Sequence, residues 1–161
     1  MQFSLATPED SKKVLANATR VKVHLTTGIV EILDKHQDLL GKVGIDILEI
    51  ESNGENKTEK NKFILQDALV IVSNKGLNPE INSETGVYVF AKRVLELTAN
   101  LSLDEFSKKV EQKSSKLDVE KQFLADAVSG NVERIKTKVF LLEDELEFDK
   151  KVLALIKESK N

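Results

Sequence analysis

The sequence contains no cysteine and no tryptophan, and its 161 residues include one tyrosine, one methionine and two prolines. Without cysteine the chain forms no disulfide, offers no thiolate nucleophile and builds no cysteine-ligated zinc site, which is compatible with a reducing compartment. Aromatic residues make up 5% of the chain against a hydrophobic fraction of 40%. The core is therefore expected to consist mainly of valine, isoleucine, leucine and alanine.

Long hydrophobic runs and a strong charge of one sign are also absent. Apolar runs reach about five residues, whereas a helix that crosses a bilayer needs ~20. The N-terminal sequence MQFSLATPED lacks the basic and apolar regions of a secretory signal. The net charge is −3 and the arginines are only Arg20, Arg93 and Arg134, so no basic stripe is present to bind phosphates. The sequence predicts a soluble protein that does not bind nucleic acid.

Residues 1–95 show the two-residue alternation that is typical of half-buried strands. In 21–26, for example, Val21, Val23 and Leu25 alternate with polar side chains. Further strands are predicted at 2–7, 29–33, 45–50, 63–65, 69–72 and 87–90. The polar segment 53–61 and the segment 75–85 are interpreted as long loops. Many short strands separated by turns predict an antiparallel β-sandwich, or flattened barrel, over residues 1–95.

From residue 102 onward the apolar period becomes helical. Ser102 and Glu105 form a capping box at the start of a first helix. The apolar positions of this helix, spaced mostly three or four apart, are Leu103, Phe106, Val110, Leu117, Leu124 and Val128. Lys113 and Glu120 or Lys121 interrupt this pattern. Gly130 and Asn131 then supply a stop and a new N-cap.

The second helix carries a cleaner seven-residue repeat. Its seam consists of Ile135, Val139, Leu142, Leu146, Asp149, Leu153 and Ile156. Only Asp149 is polar, and a polar seam residue can fix the register of two helices. With a short turn at Gly130, residues 102–159 are predicted to form an antiparallel two-helix hairpin. Further apolar residues off the seam predict a third contact surface, and these are Phe140, Leu141, Phe148, Val152 and Leu155.

This order of parts resembles the epsilon subunit of F-type rotary ATPases. The family's first strand ends in T-P-E, as Thr7, Pro8 and Glu9 do here. Its G-E-x-G-I-L-P-G-H-x-P-L-L stretch is similar to GIVEILDKHQDLL at 28–40, where His36 is retained. Its V-T-V-L-A segments look like ALVIV at 68–72 and VYVFA at 87–91. The helix opening L-D-E-A-R-A is similar to LDEFSK at 103–108. The resemblance covers nearly the whole chain.

The resemblance implies a non-catalytic subunit whose sandwich binds the gamma-type shaft through the loop around His36. The interface residues carried over on this basis are Ile29, Asp34, His36, Asp38, Leu39 and Leu40. Asp34 and Lys35 replace the family's Pro-Gly pair, and Ile29 replaces its glutamate, which argues against contact with the rotor ring. Ser107 stands where ATP-binding members have an arginine, so Asp104 is the one polar residue of that motif retained. We therefore expect no nucleotide and no other cofactor.

The sequence offers few candidate residues for a metal site or for catalysis. Asp34, His36 and Asp38 contain one imidazole, too few ligands for a metal site, and no metal is expected. His24 lies in an alternating strand and is expected to face outward. The acidic run at 143–149 is expected to pair with lysines three or four residues away on the same helix. No catalytic arrangement has candidates for its required roles, so an enzyme is not expected.

The sequence thus predicts an epsilon-like central-stalk subunit of a rotary F-type or F-type-like ATPase. Its partners would be the gamma-type shaft and catalytic alpha- and beta-type subunits, at the cytoplasmic face of a membrane. A paralogous machine, such as the one linked to gliding in certain wall-less bacteria, would suit the long second helix. The hairpin would restrain rotation by changing partners. Two alternatives remain open: a free-standing coiled-coil adaptor that dimerises through 131–159, and a small ligand-binding sandwich.

Overall fold

A computed structural model describes residues 1–15, 17–54, 57–75, 84–98, 101–127 and 130–159. The chain divides into two compact units, residues 1–98 and 99–161. The described residues of the first unit form seven strands, which are β1 (Gln2–Ala6), β2 (Ser11–Leu15), β3 (Ala18–Leu25), β4 (Gly28–Ile32), β5 (Leu39–Asn53), β6 (Thr58–Ser73) and β7 (Gly86–Glu96). Those of the second unit form the helices α1 (Leu103–Ala125) and α2 (Val132–Ser159). The predicted fold class, a sheet unit followed by a helical hairpin, is confirmed.

The strands form one sheet in the order β2-β1-β7-β6-β5-β3-β4. Neighbouring strands are antiparallel except β1 and β7, which pair in parallel from Gln2 and Gly86 onward. The sheet curls so that strands from both of its ends supply one aliphatic core. Phe3 and Leu5 of β1 are buried in the same cluster as Val21 and Val23 of β3. The described strands do not close the sheet into a barrel, because β2 and β4 remain its two ends.

Several strand boundaries differ from those predicted. The segments 63–65 and 69–72 belong to the single strand β6. The predicted loop 53–61 is wrong at its ends, because Asn53 pairs with Thr58 and the strands continue from there. The strand β2 was not predicted. Most of the second predicted loop, residues 76–83, lies outside the described residues, as do Val128 and Ser129 at the end of the predicted first helix.

The core residues of β5 and β6 change between odd and even numbers at the same level of the sheet. In β5 the buried residues are odd-numbered up to Val43 and even-numbered from Leu48 onward. In β6 the core residues are odd-numbered up to Leu65 and even-numbered from Ala68 onward, and Asp67, which lies between them, has a φ of 48°. The pairing between β5 and β6 nevertheless keeps one register from Leu39 to Asn53. The strands therefore kink together, and the long strands β5 and β6 serve both halves of the sandwich.

The hairpin begins with the predicted cap. The Ser102 hydroxyl oxygen accepts a hydrogen bond from the Glu105 N–H at 3.3 Å, which satisfies one of the free donors of the first turn. The second helix begins at Val132, directly after Asn131. Ion pairs between the helices join Lys113 to Glu145 and Lys121 to Glu143. Since partners on α2 move toward its start as α1 advances, the helices are antiparallel.

Candidate protein-binding surfaces

The loop between β4 and β5 contains three of the six predicted interface residues and is anchored to the end of the sheet. Lys35 has a φ of 62°, and its N–H donates to the Thr85 hydroxyl at 2.8 Å. The Asp38 carboxylate accepts from the Asn74 N–H, also at 2.8 Å. The N–H of His36 donates to the Leu33 carbonyl at 3.1 Å. These bonds fix the loop against two other segments, with His36 half-buried.

The predicted interface residues differ in accessibility. Ile29 is 62% exposed and Leu40 is 70% exposed, and Asp34 and Asp38 are also exposed. Leu39 instead packs against the sandwich core, because alternate residues of a strand face opposite sides. The strand β3 lies between β4 and β5 in the sheet. Ile29 and Leu40 are therefore not on neighbouring strands.

An apolar outer face extends from Leu40 across the sheet. Leu40 pairs with Ile71, and Ile71 pairs with Tyr88 on β7. One row further, Leu69 pairs with Phe90, which is 50% exposed. We define the outer apolar face as the outward-facing residues of this half of the sandwich, which are Val14, Leu40, Leu69, Ile71, Tyr88 and Phe90. Of these residues, only Leu40 was predicted from the sequence to lie at an interface. The alternation in 69–72 and 87–90 also indicated which side chains of those strands face outward.

A shallow groove lies next to Phe90 on this face. Its lining includes Ala6, Pro8, Asp67 and Lys92. Lys92 Nζ lies 3.7 Å from the Asp67 carboxylate, so the charged residues of the lining neutralise each other. The groove is open and mainly apolar, as expected of a surface that packs against another apolar surface.

One row on the outer surface of β3 to β6 has the opposite character. Lys22 pairs with Glu31 on β4 and with Glu49 on β5, and Glu49 pairs with Lys62. Glu49 and Lys62 are 2.9 Å apart. The Lys62 amine is the main reason that the pKa of Glu49 lies below its ordinary value. A ladder of alternating charges is solvated and self-satisfied, so this surface contrasts with the outer apolar face.

His24 lies on this charged surface, as predicted from its alternating strand. Its Nδ1 is 3.0 Å from an Asp46 oxygen. Asp34, His36 and Asp38 do not converge, and no group of three or more histidine, aspartate or glutamate side chains in the described ranges is arranged to hold a metal ion. Asp104 lies exposed in the first turn of α1.

The predicted seam residues of the hairpin pack between the two helices along most of its length. One cluster combines Val110, Leu117 and Leu124 of α1 with the seam residues of α2 that face them, which are Ile135, Val139, Leu142 and Leu146. Of the remaining predicted seam residues, Phe106 and Ile156 are buried. Leu103 and Leu153 are half-buried.

The polar interruptions of the two seams pair with each other. Asp149 is 3% exposed, and Lys113 Nζ lies 2.6 Å from its Oδ2. Burial alone would lower the pKa of Lys113, but the carboxylates of Asp149 and Glu145 outweigh burial and raise the pKa. Glu120, also buried, binds Lys138.

The partners of the acidic residues of α2 differ from those predicted. The acidic residues of α2 were expected to pair along their own helix, but the ion pairs of Glu143, Glu145 and Asp149 cross to lysines of α1. Charge therefore specifies the alignment of the two helices as well as their solubility.

Apolar residues off the seam fall into two groups. Phe148, Val152 and Leu155 are at most 8% exposed. Near the turn of the hairpin, Val119 and Phe123 of α1 and Phe140 and Leu141 of α2 are each at least 50% exposed. We call these four residues the hairpin tip patch. No helix in the described part of the chain is long and apolar enough to span a membrane.

Comparison with known proteins gives a likeness of fold. No protein-family model matches the sequence, and no curated protein is detectably similar to it. A chain in the cryo-EM structure of the Euglena gracilis mitochondrial ATP synthase (OSCP, F1 and c-ring, rotational state 1) is 13% identical, with a TM-score of 0.53. The match covers 94% of this chain and 79% of that chain. At this identity the likeness establishes a shared fold.

A second solved structure matches less of the chain. It is a chain of the Tetrahymena thermophila mitochondrial ATP synthase, from the structure of its central stalk and c-ring, with 15% identity and a TM-score of 0.45. The match covers 63% of this chain and 77% of that chain.

Proposed function

We propose that this protein is a non-catalytic, epsilon-like subunit of the central stalk of a rotary F-type or F-type-like ATPase. The observation that carries the proposal is the order of a seven-stranded sandwich and a two-helix hairpin, with a fold shared over 94% of the chain with a chain of an ATP synthase. The retained segment 28–40 and its anchored loop support the same assignment. The proposal includes a paralogous F-type-like ATPase, such as one linked to gliding.

The sandwich would bind the gamma-type shaft through the His36 loop and the adjoining part of the outer apolar face. Hydrogen bonds to Thr85 and Asn74 hold the loop in place, so binding a partner does not cost the conformational entropy of ordering it. Leu40, at 70% exposure, supplies apolar area that a partner can bury. Charged residues near it, Asp34 and Asp38, would form the polar rim of the contact.

The hairpin would restrain rotation by docking on a second partner in one state of the machine. Such a switch requires an apolar surface beyond the seam that holds the helices together. The residues of the hairpin tip patch supply exposed apolar area for such a contact, because each of the four is at least half exposed. Nucleotide plays no part in the proposal, since Asp104 is the single polar residue retained from the family's binding motif.

The proposal is tested by purifying the complete assembly from the source cells. The chain is tagged at its native locus and purified gently, and the co-purifying chains are identified by mass spectrometry. We expect a gamma-type shaft together with alpha- and beta-type nucleotide-binding subunits. Recovery of the tagged chain without any of these subunits, from cells that express them, contradicts the assignment.

A free-standing coiled-coil adaptor is the second candidate, and the hairpin tip patch is the observation that favours it. An adaptor of this kind would dimerise through 131–159, whereas a stalk subunit is present once per shaft. Sedimentation of the purified full chain at increasing concentration distinguishes them. A dimer that Phe140→Asp dissociates supports the adaptor, and a monomer at all concentrations supports the stalk subunit.

A further inference from the structure

The two edges of the sheet are protected to different degrees. The edge strand β2 carries Lys12 and Lys13, and its pairing with β1 is interrupted between Leu5 and Ala6. Lysines and irregular pairing are the usual means by which proteins prevent another chain from pairing with an edge strand. The opposite edge, β4, has neither: its sequence is GIVEI, and all five residues pair with β3 in one uninterrupted register.

Within the described residues β4 has a strand on one side only, since it is the last strand in the sheet order. Half of its backbone N–H and C=O groups therefore point away from β3, as in any edge strand. Ile29 is 62% exposed, so no side chain among the described residues covers this part of β4. The geometry at β4 fits the addition of one more strand.

The charge ladder shows which strand would fit. Across four neighbouring strands the outward row reads Lys62, Glu49, Lys22 and Glu31, with the sign alternating at each step. The row ends on an acidic residue at the open edge. The Glu31 side chain accepts from Arg20 but is still 49% exposed. A further strand that continued the alternation would place a cation opposite Glu31, where a cross-strand pair is favourable.

The remaining positions of β4 define the rest of the partner. Ile32 is buried and Val30 is half-buried against the sandwich core. A strand added beside them would extend the core if it placed apolar residues on the inward side at alternate positions. A second copy of β4 does not meet the charge requirement, because GIVEI contains no cation.

We propose that β4 is a strand-addition site for an extended segment of a partner protein, with apolar residues at alternate positions and a lysine or arginine opposite Glu31. The site depends on the edge strand and the charge ladder alone, so it holds whether or not the chain belongs to a rotary ATPase. Affinity would come from main-chain hydrogen bonds and specificity from the cation at Glu31.

The test uses the isotope-labelled full chain and a synthetic peptide of about nine residues, enough to span one strand with overhang. The peptide alternates threonine and valine and has lysine at its centre. Addition of a strand predicts chemical-shift changes and slowed amide exchange at residues 28–32. Replacing the central lysine by glutamate should weaken binding by about fivefold, the range of a cross-strand charge pair. A central proline should abolish binding, because it removes a main-chain donor.

Matched variants at the two edges locate the site. Ile29→Lys should weaken the lysine peptide by about two- to fivefold, whereas Val14→Lys on the opposite edge should not, although Val14 is similarly exposed at 68%. Glu31→Lys should reverse the preference in favour of the glutamate peptide. A variant that loses its native spectrum is replaced by Glu31→Gln, which should remove the preference.

Two results would overturn the proposal. One is the absence of any change at residues 28–32 with the lysine peptide at about 1 mM, where even weak strand addition is measurable. The other is concentration-dependent self-association that Ile29→Lys abolishes, which would make a second copy of the chain, through its lysine-bearing β2, the occupant of the edge.

Discussion

Lys113 and Asp149 meet across the hairpin, with the lysine Nζ 2.6 Å from Oδ2 of the aspartate. Each residue interrupts the apolar seam of its own helix, and the antiparallel alignment places the two interruptions opposite each other. Lys109 lies 3.8 Å from the other carboxylate oxygen. A shift of one helix by one turn that brought Leu117 opposite Asp149 would leave the carboxylate buried against an apolar residue, so the pair disfavours that register.

Asp149→Ala should destabilise the hairpin, because it leaves Lys113 without its closest carboxylate. We expect a loss of about 1–3 kcal/mol, less than for a fully buried pair because Lys113 retains some contact with solvent. The measurement is urea unfolding of the full chain followed by helical circular dichroism. The double variant Lys113→Met, Asp149→Leu should recover most of the loss. Glu133→Gln, which removes an exposed pair with Lys136, is the control and should change stability by less than about 0.5 kcal/mol.

The same pair predicts a change at alkaline pH. The carboxylates raise the pKa of Lys113 above its ordinary value of 10.5. Its contribution to stability is therefore complete below pH 10.5 and is lost as the pH rises through the raised value. The stability difference between the wild type and Lys113→Met should shift in favour of the variant above pH 10.5. A stability difference between the two proteins that stays unchanged up to about pH 12, well above the ordinary pKa of lysine, contradicts the expectation.

Leu146 and Leu141 offer a matched comparison of seam and surface. Leu146 is 4% exposed and Leu141 is 50% exposed on the same helix. Leu146→Ala should cost about 2–4 kcal/mol, because it removes buried methyl groups and leaves a cavity. Leu141→Ala should cost less than about 1 kcal/mol. Similar losses for the two variants would mean that Leu141 is covered in solution.

Glu49 should contribute to the acid sensitivity of the sandwich. Its pKa is lowered from 4.5, chiefly by the hydrogen bond from Lys62. The stabilising contribution is present above pH 4.5 and is lost as the pH falls through the lowered pKa. The free energy of unfolding should therefore fall less steeply between pH 5 and pH 3 in Glu49→Gln than in the wild type. An equal dependence of the unfolding free energy on pH in the two proteins would show that Lys62 does not lower the pKa of Glu49 in solution.

Leu40→Asp tests the part of the proposed shaft contact that is most exposed. It should reduce recovery of the gamma-type subunit in the native purification by at least about tenfold, because a charge would be buried against an apolar surface. The isolated chain should unfold at the same urea concentration as the wild type. Val14→Asp, at a similarly exposed position on the far edge strand, should leave recovery unchanged. An equal loss for both variants would extend the contact over the whole outer apolar face.

Gly86 and Tyr88 should show coupled effects. A Cβ atom at Gly86 would lie 2.5 Å from the Tyr88 hydroxyl oxygen and 2.6 Å from Cε2, closer than non-bonded atoms approach. Gly86→Ala should therefore displace the tyrosine ring and cost about 1–3 kcal/mol. In a Tyr88→Ala background the same substitution should cost less, because the ring is no longer in the way. Additive costs would show that the ring moves aside freely.

The sequence was most informative where a period extended over many residues. The three-and-four spacing from Ile135 to Leu146 predicted residues that pack together with α1. The alternation of Val21, Val23 and Leu25 likewise predicted a strand, and all three are buried. In such segments one face of a single element meets the core, so the local pattern carries the information.

Elements held by their neighbours were not predictable in this way. The strand β2 exists because Leu15 and Val14 pair with Phe3 and Ser4, although the segment itself has little alternation. Thr58 and Lys60 lie in a polar stretch, and they become a strand because they pair with Asn53 and Glu51. The partners of Asp149 were missed for the same reason, since they lie on another helix. Long-range pairing, rather than local propensity, determines these segments.

The shared kink at Asp67 has a mechanical consequence. Since β5 and β6 run without interruption through both halves of the sandwich, a pull or twist applied to one half passes along continuous covalent chain into the other. Neither half can detach while its neighbour stays folded. A sandwich built in this way should unfold as one unit under load.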